Sequence, residues 1–227
     1  MIVGSGLIAS AFSSYPFEDD TLLFASGVSN SKENRPEAFQ RELDLLQATI
    51  LNNPDKKIIY FSTVSVLDPE LASELYVKHK LNCESFLRTQ AKDYLVLRVT
   101  NVVGKSGNPA TIFNYFKSCI QNDICFDLWT SACRNFIDIE DLVQITAVMI
   151  EENFFGRTIT VANPISYHVI DIVKQIENAL GKKAVYRALE KGSCFTPDLA
   201  EIIRIYERNE IRFSDDYLSR LIARYLA

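Results

Sequence analysis

Two segments of the chain are apolar at nearly every position, and they restrict its fold more than any other feature. Residues 57–61 read Lys-Ile-Ile-Tyr-Phe, and residues 94–99 read Tyr-Leu-Val-Leu-Arg-Val. Strands without polar alternation are usually buried on both faces, as in a parallel sheet covered by helices. Between and around these segments lie stretches with helical periodicity, such as 36–51. Strands that alternate with helices predict an α/β fold with a parallel sheet.

The other predicted elements continue this alternation. Further strands are predicted at 1–3, 21–25, 127–137 (as one or two strands), 158–162 and 183–187. Helices are predicted to begin at Ser10 and to cover 36–51, 76–86, 110–120, 139–149, 167–180 and 216–225. Gly181 is predicted to end the helix before it, because glycine tolerates the left-handed conformation found after helices.

Length and charge exclude several classes of protein. The 227 residues suffice for one large domain, or for one domain with a smaller lobe. The net charge is −5 and no basic stretch occurs, so no nucleic-acid surface is expected. No apolar run approaches the roughly 20 residues of a membrane span, and no signal peptide is recognised. A cytoplasmic protein without a membrane partner is predicted.

The cysteines predict neither a metal centre nor a disulfide framework. There are five, an odd number without metal-ligand spacing: Cys83, Cys119, Cys125, Cys133 and Cys194. Reduced, mostly buried thiols are the simplest expectation for a cytoplasmic protein. His79 and His168 are the only histidines, and no metal site is predicted.

A glycine-rich turn follows the first predicted strand. Its pattern is Gly4-Ser-Gly6-Leu-Ile-Ala9, and a helix begins directly after it. Gly4 would allow a tight turn, Gly6 the close approach of a pyrophosphate, and Ala9 close packing of helix and strand. The turn therefore predicts a phosphate cradle, with a tight β-α turn without ligand as the alternative.

A tyrosine and a lysine one helical turn apart suggest acid-base chemistry. Tyr76 and Lys80 lie on the same helix face, and the preceding strand ends in Ser62-Thr63. An ammonium beside a phenol lowers the phenol's pKa from about 10, which suits proton transfer to or from a carbinol oxygen. The Thr63 hydroxyl would give that oxygen a second hydrogen bond. The alternative is an ordinary exposed, lysine-rich first turn, since a chain with 10 tyrosines often shows this spacing by accident.

Several blocks in order resemble the extended short-chain dehydrogenase/reductase superfamily, the NAD-dependent epimerase/dehydratase group that acts on nucleotide-sugars. Gly6-Leu-Ile-Ala-Ser10 is similar to its opening Gly-Phe-Ile-Gly-Ser, and Phe61-Ser-Thr-Val-Ser-Val66 to its Ser/Thr-bearing strand end. Residues 97–104 resemble its Leu-Arg-x-x-Asn-Val-Tyr-Gly segment. Residues 134–141 resemble its Arg-Asp-Phe-Ile-Asp-Val-Asp-Asp segment. Together the blocks span residues 1 to about 162.

The resemblance implies a role for each matching residue. Thr63, Tyr76 and Lys80 would be the catalytic set, with Ser62 as the adjacent hydroxyl. The implied cofactor is NAD or NADP, and its implied contacts are Gly4, Gly6, Leu7, Ile8, Ala25, Ser26, Gly27, Ser62, Tyr76, Lys80 and Thr100. Asn101 and Arg134 would bind the substrate, although Arg134 could instead pair with Asp138. Asp138 and Asp141 are expected to be structural, because a carboxylate that opens a helix caps it.

The chain departs from the family between the glycine turn and the strand at 21–25. A dozen residues have room for one helix and a turn, not for the family's second and third strands. Asp19 and Asp20 precede a strand, so neither suits the acidic residue that grips the adenosine ribose. The sheet is expected to have lost two strands. The alternative places 21–25 where the second strand would lie, with Ser26, Ser29, Ser31, Lys32 and Arg35 near a 2′-phosphate.

The predicted fold is a Rossmann-like parallel sheet flanked by helices, with fewer strands than usual and a small C-terminal substrate lobe. The cofactor domain would comprise 1–104 and 135–163, and the lobe 105–134 and 164–227. The expected function is an NAD(P)-dependent nucleotide-sugar epimerase, dehydratase or reductase. The resemblance also allows a homodimer. One alternative is a non-catalytic or cofactor-sensing binding or assembly protein. Another is a reductase of a small non-nucleotide carbonyl.

Overall fold

A five-stranded parallel sheet forms the centre of the computed structural model, which describes residues 1–105 and 111–226. Its strands are β1 (Ile2–Val3), β2 (Thr21–Phe24), β3 (Lys57–Thr63), β4 (Asp93–Val99) and β8 (Arg157–Val161). They lie side by side in the order β1-β2-β3-β4-β8. The apolar segments of β3 and β4 occupy the middle, where Ile58, Ile59, Leu95 and Leu97 have no exposed surface. The predicted α/β sheet is confirmed.

The helices that cover this sheet follow its strands along the chain. They are α1 (Leu7–Ala11), α2 (Pro36–Asn52), α3 (Leu75–Gln90) and α5 (Ile139–Glu151). Two short 3₁₀ turns, Val64–Leu67 and Pro69–Leu71, lead from β3 to α3. Leu46 of α2 and Leu87 of α3 pack with Tyr60 on one side of the sheet. Leu142 of α5 packs on the other side, so helices bury both faces.

The neighbours of β2 decide between the two explanations of the short N-terminal region. Leu23 pairs with Ile2 of β1 and also with Ile59 of β3. In the usual order 3-2-1-4-5-6, only the fourth strand lies between the first strand and the fifth. Thus β2 takes the fourth position, and two strands have been lost. The alternative that placed 21–25 at the second position is wrong.

The C-terminal lobe has its own apolar core. Two small sheets contribute to it: β5 (Asn101–Val103), β7 (Cys133–Asp138) and β9 (Ser166–His168) form one, and β6 (Phe126–Trp129) and β10 (Tyr186–Leu189) form the other. Three amphipathic helices complete it: α4 (Ile112–Gln121), α6 (Val169–Leu180) and α8 (Tyr217–Leu226). One further helix, α7 (Ala200–Arg208), packs instead on the core beneath the main sheet through Ile202 and Ile205.

Some sequence expectations need correction. No helix was predicted at α7, and the helix predicted from residue 167 begins two residues later because Tyr167 belongs to β9. The last strand lies at 186–189 rather than 183–187. Cys133 and Cys194 form a disulfide, so the expectation that all five thiols are reduced is wrong. Within the described ranges, no helix has the length and hydropathy needed to cross a membrane.

Candidate functional site

The predicted site residues gather at the carboxyl ends of the parallel strands, the edge at which open α/β sheets bind ligands. The glycine turn follows β1, Ala25 follows β2, Thr63 ends β3 and Thr100 follows β4. Because these strands are adjacent in the sheet, residues far apart in sequence share one edge. Tyr76 and Lys80 reach the same edge from the first turns of α3.

Gly4 and Gly6 have different local requirements. Gly4 has a φ of +132°, and a Cβ on it would lie 2.4 Å from the carbonyl oxygen of Ala25. Only glycine therefore allows β1 to turn this closely beside the end of β2. Gly6 has an ordinary φ of −78°, and a Cβ there would meet no described atom within 4 Å. The space beside Gly6 is open, as a cradle for a phosphate would require.

The two glycines give a matched pair of variants. We expect Gly4→Ala to lower the free energy of unfolding by more than about 1 kcal/mol, because it combines strain at positive φ with a backbone clash. We expect Gly6→Ala to change it by less than about 0.5 kcal/mol. Urea denaturation of both variants measures the difference. Equal stability losses would contradict this account of the turn.

The Tyr76 side chain is buried, with only 9% of the residue's surface exposed. Burial raises the pKa of its phenol, whereas the Lys80 charge and the Thr63 hydroxyl lower it. The Lys80 Nζ lies 6.0 Å from the centre of the Tyr76 ring. The three members of the predicted catalytic set are thus close together, and the phenol does not point into bulk solvent. Their catalytic roles stay predictions.

The Lys80 ammonium has a full-charge partner inside the protein. Its Nζ donates to Glu42 Oε1 at 2.8 Å and to the Tyr60 hydroxyl at 3.2 Å, and Lys80 is 2% exposed. Burial alone would lower the pKa of Lys80, but the Glu42 carboxylate outweighs burial and raises it. Lys80 is therefore held protonated beside Tyr76.

Glu42 is the hub of this buried network. The Tyr60 hydroxyl donates to its Oε1 at 2.7 Å, the Val28 amide donates to its Oε2 at 2.7 Å, and His79 Nε2 lies 2.8 Å from Oε2. Burial would raise the pKa of the Glu42 carboxyl. Hydrogen bonds from His79 and Lys80, together with the Lys80 charge, outweigh burial and bring that pKa to about 2. The carboxylate is therefore ionised at every ordinary pH.

This network corrects one expectation about Tyr76. The sequence predicts that Lys80 lowers the phenol's pKa below about 10, but in the structure that pKa is raised. The largest cause is burial, and the Glu42 charge acts in the same direction against Lys80. The phenol consequently keeps its proton at neutral pH.

Ser62 and Thr63 point to opposite sides of β3, as successive strand residues do. The Ser62 hydroxyl donates to Glu84 Oε1 at 2.6 Å, in a buried cluster where Arg98 also binds Glu84. The Thr63 side chain instead accepts from the Ser65 amide at 3.2 Å. Its hydroxyl also lowers the pKa of the Tyr76 phenol. Thr63 is thus the hydroxyl on the Tyr76 side of the strand. Ser62 instead takes part in the hydrogen bonds that join β3, α3 and β4.

The other predicted cofactor contacts lie in α1, which follows β1, and in the segment after β2. Leu7 and Ile8 of α1 are half-buried against the apolar core. The Ala25 carbonyl and the amide nitrogen of the next residue, Ser26, lie directly beside Gly4. A Cβ on Gly27 would lie 2.6 Å from Lys80 Nζ and 3.0 Å from Glu42 Oε1. Gly27 therefore lets the chain pass directly over the ion pair.

The residues after β4 and at β7 meet around Asn135. Thr100 Oγ1 and Asn101 Nδ2 each donate to the Asn135 carbonyl oxygen at 2.8 Å. The guanidinium of the neighbouring Arg134 donates to the Cys133 carbonyl at 2.7 Å. Burial lowers the pKa of Arg134, and the Asp68 charge raises it only in part. Most of its donors have no partner among the described residues.

The alternative that paired Arg134 with Asp138 is wrong. Asp138 caps α5 by accepting from the Glu140 amide at 2.9 Å, and its other contacts are Arg224 and Tyr225. Asp141 accepts from the Tyr217 hydroxyl. The expectation that both aspartates are structural agrees with these contacts.

Sequence reasoning missed Glu42, Tyr60 and His79. One signal was present: Glu42 lies three residues after Phe39 and four before Leu46, on the helix side that the apolar residues mark as buried. A carboxylate on a buried helix side requires a cationic or hydrogen-bonding partner. The sequence does not say which partner.

Comparisons with known proteins place the fold. No protein-family model and no curated protein matches the chain. UDP-N-acetylglucosamine 4-epimerase from Methanobrevibacter ruminantium M1 is 18% identical, with a TM-score of 0.67 over 90% of this chain and 75% of that one. UDP-glucuronic acid 4-epimerase from Bacillus cereus, in complex with NAD, is 19% identical, with a TM-score of 0.63 over 91% and 71%. RMD from Pseudomonas aeruginosa, complexed with NADPH, is 14% identical, with a TM-score of 0.67 over 95% and 83%.

The fold is that of the NAD-dependent nucleotide-sugar epimerases, with a shortened Rossmann half. The resemblance read from the sequence blocks is thereby confirmed at the level of the fold. At these identities the likeness concerns the fold alone, and the chemistry of this chain is argued from its own residues.

Proposed function

We propose that this protein is an NAD(P)-dependent nucleotide-sugar epimerase, dehydratase or reductase that uses Thr63, Tyr76 and Lys80. The observation that carries the proposal is the convergence of three side chains: the buried Tyr76 ring, the Lys80 ammonium 6.0 Å from its centre, and Thr63, whose hydroxyl lowers the phenol's pKa together with the Lys80 charge, against burial. This convergence occurs at the carboxyl edge of a sheet whose solved relatives include complexes with NAD and NADPH.

The residues at the glycine turn fit a dinucleotide. The open space beside Gly6 would receive the pyrophosphate, and the ammonium of Lys80 has three N–H donors, of which Glu42 and Tyr60 occupy two. We assign the third to the nicotinamide ribose, which would have to meet the ammonium of a residue that is only 2% exposed. When bound, the cofactor would accept or donate the hydride at a sugar carbon.

The chain's own residues would control the proton. The Tyr76 phenol keeps its proton at neutral pH, so it is set to donate that proton to a carbonyl oxygen as it becomes a hydroxyl. Thr63 would hold the same oxygen by a second hydrogen bond. Lys80 would stabilise the phenolate left behind, because its positive charge is fixed close to the ring.

Arg134 is the proposed contact for the substrate diphosphate, since its guanidinium is half-buried and keeps donors for an anion. We expect Arg134→Gln to raise KM for a nucleotide-sugar about 10-fold or more, with a smaller effect on kcat. Steady-state kinetics measure both constants. Arg157→Gln is the control, because that arginine is exposed and pairs with Glu201. An unchanged KM in the Arg134 variant would contradict the assignment.

The proposed function is tested with purified protein, NAD or NADP in both oxidised and reduced forms, and a panel of UDP-, GDP- and dTDP-sugars. Epimerisation and dehydration are followed by NMR of the sugar, and reduction by the absorbance of the reduced nicotinamide. Turnover of a nucleotide-sugar supports the proposal. Turnover of small carbonyls alone, without protection of the fold by any nucleotide-sugar, would contradict it.

One observation favours a second candidate, a cofactor-sensing binding or assembly protein. Within residues 1–105 and 111–226, the sheet lacks the strands that carry the adenosine half of the site, and Lys80 is bound by Glu42 and nearly inaccessible. Calorimetric titration with NADH and NADPH separates the candidates. Binding with a dissociation constant in the micromolar range, coupled to turnover, supports the enzyme. Binding without turnover of any sugar supports the sensor.

A further inference from the structure

The disulfide between Cys133 and Cys194 joins two parts of the C-terminal lobe. Cys133 is the first residue of β7, and Cys194 lies in the segment 190–199 that links β10 to α7. Its Cα atoms are 4.6 Å apart, within the range of a disulfide. No step of the proposed reaction involves this bond.

Residues 191–193 of segment 190–199 lie against residues 131–133, at the start of β7. The Cys133 amide donates to the Ser193 carbonyl at 3.2 Å, and the Ser131 amide to the Lys191 carbonyl at 3.2 Å. Between them, a Cβ on Gly192 would lie 2.6 Å from the Cβ of Ala132, and Gly192 has a φ of +85°. The two backbone segments are therefore in contact next to the disulfide.

The two sulfur atoms have unequal surroundings. Cys194 is exposed, whereas Cys133 is only 7% exposed. The Nδ1 atom of His168, an exposed residue, lies 3.5 Å from the Cys133 sulfur. Cys194 is therefore the cysteine at which we expect an external thiolate to attack, and the imidazole lies beside the Cys133 sulfur, which would leave.

We propose that this disulfide is a thiol-exchange site that responds to dithiol reductants. A thiolate of the dithiol attacks the Cys194 sulfur, the sulfur–sulfur bond breaks, and the electron pair stays on Cys133. Cys133 takes a proton from water, beside the His168 imidazole. The second thiol of the reductant then displaces Cys194. The products are two cysteine thiols and the oxidised, cyclic reductant.

The exchange site is connected to the proposed substrate contact. The Arg134 guanidinium donates to the carbonyl of Cys133, and Ser193 Oγ donates to Glu70 Oε2 at 2.7 Å. Glu70 belongs to the turn that leads from Thr63 to Tyr76. Reduction removes the covalent link between segment 190–199 and β7 and leaves only backbone hydrogen bonds beside the carbonyl that accepts from Arg134. This consequence rests on the proposed function, whereas the exchange itself does not.

Thiol counting tests the exchange site without any assay of activity. The unfolded protein should show three thiols without reductant, from Cys83, Cys119 and Cys125, and five after reduction. Peptide mapping should recover Cys133 linked to Cys194. Five thiols in the unreduced protein, or a different pairing, would overturn the proposal.

Kinetics of reduction test the role of His168. We expect His168→Gln to slow reduction by dithiothreitol at least about threefold, because the departing Cys133 thiolate loses its stabilising group. Cys125→Ser should leave the rate unchanged, since Cys125 is an unpaired exposed thiol. An unchanged rate in the His168 variant would overturn the assignment of His168.

Limited proteolysis separates this proposal from the proposed function. Trypsin should cleave after Lys191 at least about threefold faster in the reduced protein and in Cys194→Ser, because the segment is no longer tied to β7. Equal cleavage before and after reduction would overturn the release of the segment.

If turnover is observed, reduction should raise KM for the nucleotide-sugar more than it lowers kcat, and Cys194→Ser should no longer respond to reductant. An identical KM in both states would overturn the link to Arg134.

Discussion

Replacing Tyr76 with phenylalanine is expected to reduce turnover by about 10²- to 10⁴-fold, the usual loss when a positioned acid-base group is removed. The variant keeps the buried ring and removes only the hydroxyl on which Thr63 and Lys80 act. Its free energy of unfolding should fall by no more than about 1 to 2 kcal/mol. Steady-state kinetics and urea denaturation measure the two effects separately.

Tyr206→Phe is the matched control for this experiment. Tyr206 is also buried, and its hydroxyl donates to the Ala162 carbonyl at 3.0 Å on the core side of α7. The control should lose similar stability and keep its turnover. Comparable turnover in wild type and Tyr76→Phe would remove the basis of the proposed mechanism.

The pH dependence follows from the same phenol. Because the pKa of Tyr76 is raised above its usual value, the protonated form persists through neutral pH. Turnover in the direction that needs a proton donor should therefore stay level until the pH exceeds about 10. A decline near pH 7 that vanishes in Tyr76→Phe would contradict the raised pKa.

Replacing Glu42 with glutamine is expected to have the largest effect on stability. The change leaves the Lys80 ammonium buried without its carboxylate, and breaking a buried pair in this way costs about 3 to 5 kcal/mol. The same hub also holds Tyr60, His79 and the Val28 amide. Chemical denaturation at neutral pH measures the loss.

Acid provides an independent measure of the same interaction. The folded pKa of Glu42 is about 2, below its usual 4.5, so its contribution is fully present above pH 4.5 and is lost as the pH falls through 2. This difference corresponds to about 3 kcal/mol. The wild type should lose that stability in this window, and Glu42→Gln should not. Asp44→Asn, an exposed change on the same helix, should keep the wild-type behaviour. A wild-type acid profile in Glu42→Gln would contradict the pairing.

Much of the fold follows from local sequence patterns. The apolar runs of β3 and β4 predicted buried parallel strands, and the dozen residues between Ala9 and Thr21 predicted the missing pair of strands. The family resemblance implied Thr63 rather than Ser62 for the catalytic set, and in the structure Thr63 is the hydroxyl that affects Tyr76. These features depend on neighbours in sequence, which is why they could be predicted.

The remaining features depend on contacts between distant residues. Glu42 meets Lys80 across 38 positions, and Cys133 meets Cys194 across 61. Cysteine pairing cannot be deduced from sequence alone, and a buried carboxylate shows only that it needs a partner. The sign of the Tyr76 pKa shift was missed for the same reason, since burial and Glu42 outweigh Lys80 only in the folded protein.

The position of β1 at the outer edge of the main sheet has a consequence for ligand selectivity. In the described part of the chain, no strand lies beyond β1 that could cover the position of an adenine ring. The adenine ring of a bound dinucleotide would then face water, and most of its binding free energy would come from the diphosphate and the pyridine half. Nicotinamide mononucleotide should therefore compete with the dinucleotide far better than AMP does.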